Sequence, residues 1–317
     1  MATVAFHTLG CKVNSYESEA MLEIFKKRGY DNIDFESPAD VYVINTCTVT
    51  NTGDSKSRQM IRKAHRTNPE AVICVVGCYS QVASEEITGI EGVSIVLGTQ
   101  HRASIVDLVE EYKATHKQIV KIENVMKVSR FEDLSIHAFE NKTRAFLKIQ
   151  DGCNNFCTYC IIPYARGGVR SRPKEDVLRQ AQELVDRGFV EIVLTGIHTA
   201  GYGVDLDNYS FYDLLVDLTT KIKGLKRLRI SSIEMSQVSD EIIELIGKSP
   251  IIVDHLHIPI QSGTDSVLRR MARHYNTAEF EKKYFELKEA LPGISITTDV
   301  IVGFPGETEE DFADTYN

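Results

Sequence analysis

No stretch of this 317-residue sequence approaches the roughly 18 uncharged apolar residues needed to span a bilayer. The N-terminus, MATVAFHTLGCKVNSYESEAM, lacks a basic start followed by a long apolar run. It reads as a first β-strand and not as a signal peptide. Low-complexity segments are absent. An excess of positive charge is lacking too: 36 Lys and Arg stand against 45 Asp and Glu, a net charge of -9. That balance argues against broad, nonspecific nucleic-acid binding, though not against a local basic site. Basic residues cluster at 55–66, 165–174 and 269–274, and a solvated helix or loop face is the simplest reading of each. The expected compartment is the reducing cytoplasm, where seven cysteines serve as ligands, catalysts or core residues in preference to disulfides.

What is present is an ordinary globular composition, 43% hydrophobic and 26% charged, long enough for two domains. Short β-rich runs at 3–8, 40–45, 71–76 and 93–97 alternate with longer amphipathic segments. This pattern predicts a doubly wound α/β domain with a parallel sheet over residues 1–118. Asn14 and Glu17 are spaced as a capping box for the first helix. Residues 119–142 lose the helical period and read as a linker with one or two edge strands. Five further strands, at 145–150, 190–196, 225–232, 255–261 and 294–303, alternate with helices at 173–188, 208–223, 238–248 and 274–290. They predict a partial barrel of parallel strands over 143–317. The sequence ends just after the fifth strand, in GETEEDFADTYN, so a C-terminal part is expected to be absent.

The densest chemical signal is DGCNNFCTYCIIPYARG, residues 151–167. Cys153, Cys157 and Cys160 follow a strand at C-x3-C-x2-C spacing, so three thiolates can converge on one metal centre from a single loop. Zinc ordinarily takes four ligands, and the adjoining IIPYARGG offers neither His nor Cys. A [4Fe–4S] cluster held by three cysteines instead leaves one iron open to a small molecule. Cys11, Cys47 and Cys78 each follow a strand of the first domain, which places all three at the carboxyl edge of its sheet. They read as a second three-cysteine cluster site. Cys74 lies within AVICVVG and reads as core.

With Tyr159 as its aromatic, the loop resembles the CxxxCxΦC signature of the radical S-adenosylmethionine (SAM) superfamily. Two cysteine triads on these two domains resemble the methylthiotransferase family within it. TLGCKVNSYESE (8–19), NTCTVT (45–50) and VVGCYSQ (75–81) are most similar to the branch acting on tRNA that carries N6-threonylcarbamoyladenosine. The resemblance implies a partial (β/α)6 barrel, two [4Fe–4S] clusters and SAM. It implies methylthiolation of adenine C2 in tRNA near the anticodon. One SAM donates the methyl group, and a second, on the Cys153/Cys157/Cys160 cluster, yields a 5′-deoxyadenosyl radical. It also implies tRNA as partner, an electron donor such as flavodoxin or ferredoxin, and a sulfur donor. A small β-rich RNA-binding domain normally closes this family, and residues 1–317 do not contain it.

By the same resemblance, cofactor contacts fall at strand ends. Thr195 and Gly196 match the place where backbone groups bind the methionyl amine. Glu234 matches a partner for that ammonium or a ribose hydroxyl. Gln261 and Ser262 lie near the ribose, and Ile301 and Val302 near the adenine. Arg166 is a candidate for bidentate binding of a carboxylate or phosphate. His255 and His257 share a strand face and are expected in barrel packing. No residue is singled out as an acid or base. The rival readings are a methylthiotransferase acting on a ribosomal protein side chain or on isopentenyladenosine tRNA, an iron–sulfur electron carrier, and a cobalamin-dependent radical methyltransferase. The last expects a D-x-H-x-x-G segment, absent from residues 1–140.

Overall fold

The structure, a computed structural model, describes residues 1–134, 136 and 143–317. They divide into two units: Met1–Lys142 with Ile161–Gly168, and Thr143–Cys160 with Val169–Asn317. Among the described residues no helix is long and apolar enough to cross a membrane.

The first unit runs β1 (Thr3–Thr8), α1 (Lys12–Lys27), β2 (Asp31–Ile33), β3 (Val41–Thr46), α2 (Asn51–Thr67), β4 (Val72–Gly77), α3 (Cys78–Val82), α4 (Ser84–Thr88), β5 (Val93–Leu97), α5 (Ile105–Thr115) and β6 (Ile119–Lys121). The six strands are parallel in the order β2-β1-β3-β4-β5-β6. β3 and β4 are buried along their whole length, which is why they read as continuous apolar runs. Alternate residues serve opposite faces. Val41, Val43, Cys74 and Val76 pack with Met21 and Phe25 of α1 and Leu108 of α5. Tyr42, Ile44, Ile73 and Val75 pack with Ile61 of α2 and Ile87 of α4. Helices on both faces make the sheet doubly wound.

One local expectation is corrected. Asn14 is not the cap of α1: Cys11 holds that position, and the Asn14 amide donates to Leu9 O at 2.8 Å and Thr46 O at 2.9 Å. Glu17 is likewise drawn into a buried ion pair with arginine. Tertiary partners outcompete the local capping box. The expected linker opens with an edge strand, β6, which pairs with Ile95–Leu97 of β5. Beyond it Val125, Leu134 and Ile136 are buried, and the Tyr16 hydroxyl donates to Leu134 O at 2.6 Å. Residues 135 and 137–142 of that expected linker lie outside the described residues.

The chain continues through β7 (Ala145–Lys148), β8 (Gln150–Asp151), α6 (Ile162–Arg166), β9 (Arg170–Ser171), α7 (Lys174–Asp186), β10 (Glu191–Thr195), α8 (Phe211–Lys221), β11 (Arg227–Ile230), α9 (Asp240–Lys248), β12 (His255–His257), α10 (Asp265–Arg270), α11 (Thr277–Ala290), β13 (Ser295–Thr297) and α12 (Glu309–Tyr316). α6 clusters with the first unit and the rest with the second. β7, β10 and β11 form one parallel sheet and β12 and β13 another. Parallel bridges Leu228↔Ile252 and Ser232↔His257 join them, giving five strands in chain order as a partial barrel. His257 bonds to Thr297 at 2.9 Å and Asp299 at 3.2 Å, and His255 to Thr297 at 3.1 Å. Both histidines therefore tie β12 to the strand beside it.

Two cysteine triads as candidate metal centres

In the first unit, parallel β1, β3 and β4 deliver Cys11, Cys47 and Cys78 just beyond the same edge of the sheet. Cys11 is exposed, Cys47 half-buried and Cys78 buried. Burial pushes the Cys47 thiol up, and Cys11 adds to the rise. Burial, with a smaller contribution from Cys11, pushes Cys78 up to about 11 against the opposing charge of Arg166. Thiolates here need a positive charge beside them, which a bound metal centre supplies as it displaces the protons.

Arg166 supplies one such charge from the protein. Its Nε–H donates to Cys78 Sγ at 3.2 Å, Nη1 to Glu17 Oε1 at 2.9 Å and Nη2 to Asn14 Oδ1 at 2.8 Å. The expected bidentate grip on a carboxylate is met within the first unit by Glu17, on Nη1 and Nη2.

In the second unit, β8 leads through Gly152 to the Cys153 loop. The start of the loop is held rigidly. Buried Lys148 pairs with Asp151 at 2.6 Å, whose other oxygen accepts the Gly152 N–H at 2.9 Å. The Gln150 amide donates to Asp151 O and Gly152 O. Burial, with smaller contributions from Cys160 and Cys157, raises the Cys153 thiol to about 11. The Asn155 N–H lies 3.5 Å from Cys153 Sγ, and Arg273 Nη1 lies 3.2 Å from Cys157 Sγ.

Among the described residues no three His, Cys, Asp or Glu side chains gather as one metal ion would require. Zinc would draw its sulfurs to about 2.3 Å from a common centre. Within each triad the thiols perturb one another's titration, and cysteine thiolates are the donors that an iron–sulfur cluster takes.

The other expected residues fall at or near the carboxyl ends of barrel strands. Thr195 ends β10, and the adjacent Gly196 lies so close to Gln150 that a Cβ would come within 2.9 Å of Oε1. Glu234 is engaged by Asn155 at 2.8 Å and Arg273 at 3.1 Å. Gln261 bridges to Val300 with left-handed backbone, φ 68°. Ser262 is buried beside Thr264 and Thr315. Ile301 is half-buried, Val302 exposed, and Tyr159 packs edge-on against Phe304.

Sequence reasoning missed Arg273 and Asn155, which tie Glu234 to the cysteine loop. It also missed His198, whose ring meets Gln237 at 2.5 Å and whose backbone N–H donates to Gln150 Oε1 at 2.9 Å. Burial lowers the His198 pKa. The signal for Arg273 was the basic run at 269–274, which reads equally well as a solvated face.

The solvated-face reading fails in part for the clusters at 165–174 and 269–274 and holds for Lys56, Arg62 and Arg66 of the first. Arg166, Arg170 and Arg172 are fully buried, and Arg273 is engaged by Glu234 and Cys157. Lys56, Arg62, Arg66 and Arg269 stay exposed.

Cys74 sits in the core beneath the sheet, and burial pushes its thiol far up. In metal-free native protein, iodoacetamide is expected to modify Cys11 first and to leave Cys74 untouched until denaturant is added. Peptide mass spectrometry reads the order, and early labelling of Cys74 would contradict its core assignment.

The comparisons agree with this architecture. The family described as "Radical SAM superfamily" matches residues 147–317, and "Uncharacterized protein family UPF0004" matches residues 3–98. The chain is 59% identical over 317 residues to threonylcarbamoyladenosine tRNA methylthiotransferase MtaB of Bacillus subtilis (strain 168), covering all of this chain and 70% of that protein. It is 36% identical to tRNA-2-methylthio-N(6)-dimethylallyladenosine synthase of Finegoldia magna, covering 99% and 68%. Among solved structures, the radical SAM methyltransferase TsrM of Kitasatospora setae aligns with a TM-score of 0.70 at 14% identity, covering 100% and 70%, a likeness of fold alone. A radical SAM domain behind a doubly wound domain, with identity sustained along the whole chain, places this protein in the radical SAM methylthiotransferase family.

Proposed function

We propose that the protein methylthiolates adenine C2 of N6-threonylcarbamoyladenosine in tRNA near the anticodon, using SAM as methyl donor and radical source. The observation that carries this reading is the pair of cysteine triads, one per unit, in a chain 59% identical to a relative named for that substrate. Cys153, Cys157 and Cys160 hold one [4Fe–4S] cluster, and Cys11, Cys47 and Cys78 hold the second. When bound, the barrel cluster and SAM supply radical chemistry at an unactivated C–H bond.

The chain's own residues bind and orient. Thr195 and Gly196 present backbone groups to the methionyl amine, and Gln150 lies so close to Gly196 that a side chain there would collide with it. Glu234 offers the ammonium or a ribose hydroxyl its carboxylate, which Asn155 and Arg273 aim. Gln261 and Ser262 lie towards the ribose, and Ile301 and Val302 towards the adenine. Tyr159, within the cysteine loop, packs edge-on against Phe304. The exposed cations Lys56, Arg62, Arg66 and Arg269 are available to RNA phosphates. An electron donor such as flavodoxin or ferredoxin and a sulfur donor complete the partners.

The similarity to a dimethylallyladenosine synthase at 36% identity favours a second reading, in which the substrate is isopentenyladenosine tRNA. Mass spectrometry of tRNA nucleosides from cells lacking the gene separates the two. Loss of 2-methylthio-N6-threonylcarbamoyladenosine, with accumulation of the unthiolated nucleoside, is expected. Loss confined to the isopentenyl nucleoside would transfer the assignment to the second substrate.

A further inference from the structure

We propose that Arg166 is a positioning residue that fixes the Cys78 sulfur and raises the reduction potential of the iron–sulfur group held by Cys11, Cys47 and Cys78. The proposal rests on the reading above that this triad carries such a group.

The geometry is specific. The Arg166 and Glu17 side chains are both 0% exposed. A guanidinium buried to that degree must have its charge and donors matched. Nη1 takes Glu17 Oε1 at 2.9 Å, and Nη2 takes Asn14 Oδ1 at 2.8 Å and Glu17 Oε2 at 3.1 Å. Glu17 is in turn held by Arg102, 2.5 Å away, and Arg102 by Glu132 at 2.7 Å. Charges of alternating sign thus pin the guanidinium plane. With both terminal nitrogens committed, the rigid fork has Nε–H directed at Cys78 Sγ, 3.2 Å away. The same frame reaches a second cysteine, because Asn14 Oδ1 lies 3.9 Å from Cys11 Sγ.

A purely structural tie between α1 and α6 would need the Glu17 and Asn14 bonds alone. The bond to sulfur adds a chemical consequence. N–H donors and positive charge beside a cluster sulfur stabilise the more negative, reduced state and so raise its potential. Removing the Nε donor should lower it.

The test uses the full chain with Cys153, Cys157 and Cys160 changed to Ala, reconstituted anaerobically, so that one group gives the signal. Two variants are compared with this parent by EPR-monitored redox titration. Arg166→Lys keeps the charge and loses the Nε donor. The pair Glu17→Gln with Arg166→Gln removes both buried charges together, so neither is orphaned. With iron content and circular dichroism unchanged, each variant is expected to lower the reduced-to-oxidised ratio at fixed poise about tenfold, equal to about 59 mV for a one-electron couple. Unchanged potential and line shape in both variants would reduce Arg166 to a structural tie and overturn the proposal. Loss of iron from both, with circular dichroism intact, would overturn tuning in favour of assembly. A parent that binds no iron would show, before any variant is compared, that the underlying two-site reading has failed.

Discussion

Changing Cys153, Cys157 and Cys160 together to Ala is expected to abolish 5′-deoxyadenosine formation from SAM. Changing Cys11, Cys47 and Cys78 together is expected to leave that reaction intact and to remove the methylthiolated product. The reason is that each triad is supported within its own unit. The barrel loop is held by Lys148, Asp151, Asn155 and Arg273. In the first unit Arg166 reaches Cys78 and Asn14 lies beside Cys11, with Glu17 fixing Arg166. The cysteine that anchors a cluster has no substitute when it becomes Ala, because alanine offers no ligand atom. Anaerobic assays on purified variants, with chromatographic detection of 5′-deoxyadenosine and of modified nucleoside, read both reactions from one sample. Parental yields of product from the Cys11/Cys47/Cys78 variant would remove the first-unit triad from sulfur insertion.

Gly77→Ala is expected to be the most damaging small substitution in the first unit. Gly77 ends β4 with φ 102° and ψ -159°, a backbone region that side chains rarely enter. A Cβ there would stand 2.6 Å from Asn45 Oδ1 and 2.6 Å from Thr46 O. One of these is backbone of the neighbouring strand and cannot swing away. Strain of about 1–3 kcal/mol adds to the overlap, so the total should be about 3 kcal/mol or more. For a unit of this size that lowers Tm by roughly 5–12 °C. It also displaces Cys78, the next residue, so iron bound by the first triad should fall with it. Gly29→Ala is the control. Its φ is also positive, 82°, but nothing lies within 4 Å of the added methyl, so its cost should stay near about 1 kcal/mol. Calorimetry of the two variants should separate them clearly, and equal Tm values would contradict the packing explanation.

Much of the architecture was legible because buried parallel strands announce themselves. VYVINT and VICVVG are buried on both faces and mostly apolar, so they need no alternation to be recognised. The triads were legible by spacing in one case and by position after a strand in the other. Short elements were not. β2 and β6 have three residues each, and β8 and β9 two, too few to show a period. Partners distant in sequence were hidden as well. Asn14 and Glu17 satisfy a local capping pattern, yet Thr46 and two arginines claim them. Arg166 sits six residues beyond Cys160 and so reads as part of the barrel site, although its fork closes on α1. A basic run carries the same composition whether it faces solvent, as Arg62 does, or is buried, as Arg170 is. Its role depends on the acceptors that the fold brings to it.

Whether one chain carries two iron–sulfur groups is decided most directly by iron and sulfide analysis, with Mössbauer spectroscopy, of the anaerobically reconstituted protein and its two triple-cysteine variants. About eight irons per chain are expected in the parent and about four in each variant, the sums for two four-iron clusters and for one. A parent saturating at four irons, with the Cys11/Cys47/Cys78 variant losing none of them, would contradict the second site.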